Sequence, residues 1–361
     1  MRRMIFASLL CCLNAASMAL LMALMPPCVC AQQQQPPAAQ TRKDDEVETV
    51  STSLVTVPVR VSDRAGRFVT DLRREDFHVF EDNVEQEINF FETADKPFTV
   101  ALLLDMSDSA RFKREEIQAA ARAFVEQLHA GDRVLIAAFD KKVSLLADAT
   151  GDRQILYAAI NRTRTGSGTS IHDAIQEIVG KRLRLVAGRK AVVILTDGID
   201  TTSRASQLAA VTAADATDAL VYTVQYDVVG EVSGIPVEAS TRGDSTAGVV
   251  TSRGESLTTA YRRATLFLQM LADRTGGRYY MADNVSRLSE SFARIAAELR
   301  QQYSLGYYPR NRAGEGKRRK LKVIVSGPDT VVHARSAYVF KPRRVSQRDD
   351  LSGPVAALSK D

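Results

Sequence analysis

The sequence predicts an α/β fold in which a doubly wound, mostly parallel sheet is flanked by helices. Two uncharged apolar runs, TVALLL at 99–104 and AVVILT at 191–196, are each followed by an aspartate. Strands of a parallel sheet are covered on both faces, so they form continuous apolar runs that need not alternate with polar residues. Each run is followed by apolar residues at the spacing of a helix, and such alternation of strands and helices is typical of a parallel sheet.

The N-terminus is predicted to be a targeting segment. Two arginines at the start precede an apolar stretch over 5–25, and the small residues Val29 and Ala31 allow cleavage after Ala31. We therefore expect a signal peptide at 1–31 and an exported protein, either periplasmic or secreted. The apolar stretch approaches the ~20 residues of a membrane helix, so an uncleaved membrane anchor is the alternative.

Composition excludes several functional classes. All four cysteines lie in the targeting segment, at positions 11, 12, 28 and 30. The cleaved chain would contain none, which excludes disulfides, thiol catalysis and zinc sites built on cysteine. The net charge is +5, but the basic residues are scattered and do not interleave with aromatic ones. Nucleic acid is therefore not an expected partner.

A small β unit is predicted at 49–96, ahead of the main domain and after a polar low-complexity linker at 32–48. Valines at alternate positions from Val55 to Val61 indicate a half-buried strand. Three short strands are expected here, at 55–61, 77–80 and 86–91.

The α/β domain is predicted at 97–302. Its strands are expected at 99–105, 133–139, 190–195, 220–225 and 279–281, with a hairpin partner at 142–146. Its helices are expected at 113–129, 152–160, 171–185, 207–218, 259–274 and 286–302. Residues 228–259 are rich in Gly, Ser and Thr and lack periodicity, which predicts a mobile surface loop.

The C-terminal part returns to β structure. Strands are predicted at 303–308, 320–325, 331–335 and 338–340. We expect the strands of 303–341 to pack with the N-terminal unit in one small accessory sheet, with the α/β domain inserted between them. The charged tail at 342–361 is expected to be disordered.

Carboxylate and hydroxyl side chains follow the two apolar runs. Asp105 and Asp197 come at the strand ends, Ser107 and Ser109 follow Asp105 at alternate positions, and Thr169 lies in a glycine-rich loop before a helix. Open α/β sheets bind ligands at the carboxyl ends of their strands, so these groups can converge on one crevice. Hard oxygen donors suit Mg²⁺, Mn²⁺ or Ca²⁺. The alternative is structural, because serine is also a common helix N-cap.

With these motifs in their order, the chain resembles the von Willebrand factor A (VWA) family, and its bacterial exported VWFA-related members in particular, over roughly residues 50–340. The resemblance implies that Asp105, Ser107, Ser109, Thr169 and Asp197 are the ligands of a metal-ion-dependent adhesion site (MIDAS). One position departs from the family, which usually has glycine where this chain has Asp108. Asp108 and Asp200 could support the site from outside the ligand set, and Asp200 could equally be a turn residue.

We interpret the chain as an exported protein-binding module of the cell-adhesion kind and not as an enzyme. The two carboxylates would hold a divalent cation, Mg²⁺ in preference to Mn²⁺ or Ca²⁺, and the cation would accept an Asp or Glu carboxylate of a protein partner. A structural or assembly module with a weak or vestigial metal site is the alternative, which Asp108 favours. A metal-dependent hydrolase is the third reading. An aspartyl-phosphate mechanism would need a second aspartate where Ser107 stands.

We predict that the mature chain begins near Gln32 and lies outside the cytoplasm, because small residues precede this position and a polar linker follows it. N-terminal sequencing of the native protein checks this. An intact Met1 in a membrane fraction would identify an anchor, and an intact Met1 in the cytosol would contradict export.

Overall fold

The computed structural model describes residues 54–340 except 95, 227–253, 283, 312–313, 315 and 328. The predicted signal peptide, the linker, most of the predicted loop at 228–259 and the tail lie outside the described residues. Within the described part, no helix has the length and apolar character needed to cross a membrane.

The strands and helices fall close to their predicted positions. The strands are β1 (Val55–Asp63), β2 (Phe77–Glu81), β3 (Val84–Gln86), β4 (Ile88–Glu92), β5 (Phe98–Asp105), β6 (Arg133–Phe139), β7 (Val143–Thr150), β8 (Arg189–Thr196), β9 (Leu220–Tyr226), β10 (Tyr279–Ala282), β11 (Tyr303–Tyr307), β12 (Arg318–Val325), β13 (Thr330–Ala334) and β14 (Ala337–Val339). The helices are α1 (Arg114–Glu126), α2 (Arg153–Asn161), α3 (Ile171–Ala174), α4 (Gln207–Asp215), α5 (Leu257–Thr275) and α6 (Val285–Arg300).

The central sheet confirms the predicted doubly wound architecture. Its strand order is β10-β9-β8-β5-β6-β7, and every pair is parallel except the edge hairpin of β6 and β7. All eight residues of β5 and of β8 are buried. Helices α1, α2 and α6 cover one face, α3 and α4 cover the other, and α5 contributes to both apolar clusters. The continuous apolar runs therefore form the middle of the sheet, as two-sided burial requires.

Some helix ends differ from the prediction for local reasons. Helix α5 begins at Leu257, inside the predicted loop, because the Ser256 hydroxyl accepts a hydrogen bond from the Thr259 amide at 3.2 Å. A 3-10 turn at Asp108–Lys113 precedes α1. Helix α3 continues as a π-helical segment, Ile175–Arg182. Apolar spacing cannot distinguish these variants from a regular α-helix.

The accessory strands form two four-stranded sheets and not the single sheet expected from the sequence. Their orders are β13-β1-β11-β4 and β14-β12-β2-β3, so each sheet mixes N- and C-terminal strands. The predicted strand at 86–91 is broken at the exposed Glu87, and β3 and β4 join different sheets. The valines of β1 and the tyrosines of β11 belong to the apolar core that the two sheets share.

Buried charged groups attach this β-sandwich to the α/β domain. Arg60 of β1 forms an ion pair with Glu298 of α6, and its guanidinium also donates to the Gly276 carbonyl at 3.1 Å. Glu298 in addition accepts a hydrogen bond from Tyr280 at 2.7 Å. Arg335 donates to the carbonyls of Asp215 and Thr217, each at 2.7 Å, next to the end of α4. The inserted domain is thus fixed through directional contacts and not only through apolar packing.

We predict that Glu298→Ala lowers the free energy of unfolding by about 3–5 kcal/mol, because it leaves the Arg60 guanidinium buried without its counter-charge. Glu290→Ala on the same helix is the matched control. It removes an exposed partner of Arg294 and should cost less than about 1 kcal/mol. Urea unfolding of both variants measures the difference, and equal losses would contradict the structural role of the buried pair.

Candidate metal centre

The ends of two neighbouring strands bring two carboxylates together. In the register of β5 and β8, Leu104 pairs with Leu195, so Asp105 lies beside Thr196 and Asp197 follows one residue later. Asp105 is completely buried and Asp197 is 2% exposed. Both aspartates stand at the carboxyl edge of the sheet, where the sequence predicted that they would lie.

A chain of hydrogen bonds connects the two carboxylates. Asp105 accepts from the Ser107 amide at 2.9 Å and from the Thr196 hydroxyl at 2.5 Å. The hydroxyls of Ser107 and Ser109 lie 2.9 Å apart, and Ser109 donates to Asp197 at 2.5 Å. Four of the five predicted ligands therefore form one connected cluster of oxygen atoms.

Thr169 approaches the same edge through its backbone. Its amide donates to the Thr201 hydroxyl at 2.8 Å, and its carbonyl accepts from the amides of Thr201 and Thr202. The Gly166 amide donates to the Met106 carbonyl at 2.8 Å, which ties the glycine-rich loop to the loop after β5. Among the described residues, the Thr169 hydroxyl makes no hydrogen bond to the other four predicted ligands. The structure joins the Thr169 backbone to the loop after β8 and does not join its side chain to the cluster.

The turn after β8 fixes the Asp197 side chain. Asp197 accepts from the Ile199 amide at 2.8 Å, and the Gly198 amide donates to the Thr196 hydroxyl at 2.8 Å. Gly198 has a left-handed φ of +82°, and a Cβ there would lie 2.8 Å from a methyl carbon of Leu268. The glycine after Asp197 is therefore required by both backbone conformation and space.

The two predicted supporting aspartates lie outside the cluster. Asp108 is exposed and begins the 3-10 turn, and its φ is not in the left-handed region. The glycine that the family usually has at this position is not needed for this backbone. Asp200 bonds to Ser203, and the His172 amide donates to it at 3.4 Å. Asp200 thus fastens the 197–203 loop to the start of α3.

Burial raises the pKa of both carboxyl groups in the cluster. Burial, followed by repulsion from Asp197, raises the pKa of Asp105 to about 7. Burial also raises the pKa of Asp197, while the hydrogen bond from Ser109 opposes this. Two buried carboxylates with raised pKa values favour protonation or a bound cation.

Sequence reasoning missed two groups at this site. Thr196 was read only as part of the apolar run, although its hydroxyl bonds to Asp105. Tyr226 ends β9, one residue beyond the predicted strand, and its hydroxyl is buried without a hydrogen-bond partner among the described residues. Burial and then Asp105 and Asp197 raise the Tyr226 pKa well above its ordinary value, while the hydroxyls of Ser107 and Ser109 lower it. Both residues could have been suspected because they, too, end predicted parallel strands.

The donor set fits a hard divalent cation. It combines two carboxylates with serine and threonine hydroxyls, and the Tyr226 phenol lies beside them. Across the described residues there is no group of three or more His, Cys, Asp or Glu that could hold a metal ion. A cation at this edge would therefore depend on hydroxyl oxygens as much as on carboxylates.

Comparison with known proteins identifies the domain that carries the cluster. Residues 100–199 match the family model of the von Willebrand factor type A domain, and all five predicted ligands lie in that range. This match confirms the family resemblance found in the sequence. A search of curated proteins finds no match.

Solved structures with a similar fold come from several bacteria. An aerotolerance-related membrane protein from Bacteroides fragilis shares 18% identity, with a TM-score of 0.41 over 56% of this chain and 98% of that one. The vWF domain of the pilus tip protein Mfa5 from Porphyromonas gingivalis shares 13%, with a TM-score of 0.42 over 57% and 95%. A von Willebrand factor type A protein from Catenulispora acidiphila shares 12%, with a TM-score of 0.44 over 78% and 76%. Likenesses at this level support no argument about function.

We predict that Asp105→Asn makes the cation-free protein more stable at pH 8 than the parent but not at pH 4. The folded pKa of about 7 lies above the unfolded value of 3.8, so the folded state binds the proton more tightly. Ionisation of Asp105 thus destabilises the fold progressively as the pH rises from about 4 to 7, by about 4 kcal/mol in total. Asparagine keeps the shape of the protonated acid and removes this loss.

Urea unfolding in EDTA between pH 4 and 8 measures this difference. Asp148→Asn serves as the control, because it makes the same chemical change in a side chain that is 84% exposed. If the stability difference between Asp105→Asn and the parent does not change with pH, the raised pKa is wrong.

Proposed function

We propose that this chain, whose residues 100–199 form a von Willebrand factor type A domain, binds a divalent cation and, through it, a carboxylate of a protein partner. The observation that carries the proposal is the pair of buried, adjacent carboxylates, Asp105 and Asp197, surrounded by hydroxyls. Such a pair is electrostatically unfavourable alone and is stabilised by a positive ion between its members. Mg²⁺ is the cation we propose, with Mn²⁺ and Ca²⁺ as competitors in the test.

Each proposed ligand has a distinct part in the site. Asp105 and Asp197 supply the negative charge, and Ser107, Ser109 and Thr169 supply neutral oxygens. When bound, the cation would supply Lewis acidity toward an outside oxygen ligand. Two charged ligands match the charge of a divalent ion, so a further carboxylate would bind through an open coordination position of the cation and not through a net positive charge. A partner's Asp or Glu is the group that this arrangement favours.

The alternative of an assembly module with a vestigial metal site depends mainly on Asp108. Asp108 has an exposed side chain and a backbone conformation that is not left-handed. The absence of the family's usual glycine therefore does not strain this turn. The added negative charge remains, and it is screened by solvent at this position. The observations therefore favour a working cation site on a binding protein, which we propose to be exported to the periplasm or beyond.

We predict that Mg²⁺ raises the thermal unfolding temperature of the parent chain and that Asp105→Ala abolishes this rise. The substitution deletes a ligand and half of the site's charge. It also removes a repulsive pair, so the cation-free variant should unfold at a temperature close to or above that of the parent. Asp108→Gly should keep or increase the Mg²⁺ effect, and Asp148→Ala, at an exposed position, should not change it.

Thermal unfolding in EDTA, Mg²⁺, Mn²⁺ and Ca²⁺ measures these effects for all four proteins. A full Mg²⁺ effect in Asp105→Ala would contradict the ligand assignment. The same proteins, used as bait with and without EDTA, address the partner: the parent should retain a protein that EDTA and Asp105→Ala both release. A partner retained equally in every case would instead favour the assembly module.

A further inference from the structure

Tyr226 occupies a position that connects it to the proposed cation site. Thr196 pairs with Gln225 in the register of β8 and β9, so the next residues along, Asp197 and Tyr226, lie abreast. The Gln225 side chain donates to the Asp197 carbonyl at 2.7 Å and holds the two strand ends together. The Tyr226 side chain is only 1% exposed, so it lies within the protein beside the cluster.

The Ser107 and Ser109 hydroxyls lie near the Tyr226 oxygen, but no described residue forms a hydrogen bond of ordinary geometry with the Tyr226 hydroxyl. A buried hydroxyl without a partner destabilises the folded state, and phenylalanine would fill nearly the same space without that cost. Buried polar groups are normally satisfied, and an exception calls for an ordered water or an ion. A bound oxygen atom at the site would supply the missing acceptor.

A positively charged side chain lies against the ring of Tyr226. The Lys113 ammonium lies 5.5 Å from the ring centroid, where a positive charge is attracted to the π electrons and withdraws density from the phenol. Lys113 ends the 3-10 turn that also contains Ser109. The same short turn therefore places both a proposed ligand and the group that polarises Tyr226.

We propose that Tyr226 is a further residue of the binding site and that its neutral hydroxyl donates a hydrogen bond to an oxygen atom held by the bound cation. This inference rests on the proposed function. The oxygen belongs to a water molecule or to the partner's carboxylate, which offer the same acceptor chemistry. The hydroxyl stabilises the cation-bound site without adding charge. It favours a cation that retains an oxygen ligand from outside the protein, as Mg²⁺ does.

Tyr222 provides a matched control on the same strand. Its side chain is fully buried, and its hydroxyl also lacks a hydrogen-bond partner in the described part of the chain. Its ring packs against Arg60 of the β-sandwich, 5.7 Å from the guanidinium carbon, and not against the carboxylates. Tyr222→Phe therefore makes the same chemical change, in a similar environment, away from the site.

Calorimetric titration of the mature chain with Mg²⁺ at pH 8 tests the inference. The parent, Tyr226→Phe and Tyr222→Phe are compared in chloride buffer and again with sodium acetate added as a carboxylate probe. We expect Tyr226→Phe to bind Mg²⁺ about 3- to 10-fold more weakly, the loss of one hydrogen bond, and Tyr222→Phe to match the parent. In EDTA, neither variant should unfold at a lower temperature than the parent, because each loses an unsatisfied group.

The two buffers distinguish the source of the oxygen. Weaker binding already in chloride identifies a water molecule, and weaker binding only with acetate identifies a carboxylate. Equal Mg²⁺ affinity of Tyr226→Phe and the parent in both buffers overturns the inference and leaves the proposed function standing. An equal loss in Tyr222→Phe also overturns it, because the effect would then be general to β9. A parent that binds neither Mg²⁺ nor Mn²⁺ overturns the proposed function and this inference together.

Discussion

The pairing of β5 with β8 is the constraint on which the rest of this structure depends. Every residue of both strands is buried, and their register sets Asp105 and Asp197 at neighbouring strand ends. Apolar packing on both faces of the sheet leaves the carboxylates no freedom to separate. The core therefore maintains the repulsion between them, and among the described residues it is eased by hydroxyl and amide donors from Ser107, Ser109, Thr196 and Ile199. The packing that stabilises the domain therefore also holds two carboxylates close together, and their repulsion lowers the stability of the domain.

The β-sandwich is attached at the other edge of the same sheet. Arg335 bonds to the carbonyls of Asp215 and Thr217, which precede β9, and Arg60 bonds to the carbonyl of Gly276, which precedes β10. Because β9 and β10 run parallel to β5 and β8, these contacts lie at the amino ends of the strands. The carboxyl ends, with the oxygen cluster, are left on the opposite edge. The inserted topology thus supports the domain without covering the edge where a partner would bind.

Features that depend on the local pattern of apolar and polar residues could be predicted from the sequence. Features that depend on which strands pair in the folded chain could not. Two apolar runs ending in aspartates were enough to predict the central strands and to place Asp105 and Asp197 at one edge of the sheet, whereas their role as ligands stays a prediction. The chain passes from one accessory sheet to the other at Glu87, an exposed residue between buried neighbours, and an alternating pattern shows neither this break nor which sheet each half joins. Tyr226 was missed because its place beside Asp197 comes from the register of β8 and β9, which the sequence does not state.

The cluster also couples cation binding to protons. The cation-free site holds a proton near neutral pH, because burial and Asp197 raise the Asp105 pKa to about 7. A cation that uses both carboxylates must displace that proton. By linkage, protonation lowers the affinity for the cation by the same factor by which the bound cation lowers the affinity for the proton. The neutral hydroxyls are not subject to this competition. Replacing a serine by an aspartate would therefore add charge and increase the number of protons to be displaced, whereas the hydroxyls of the present set contribute oxygen atoms without adding to that competition.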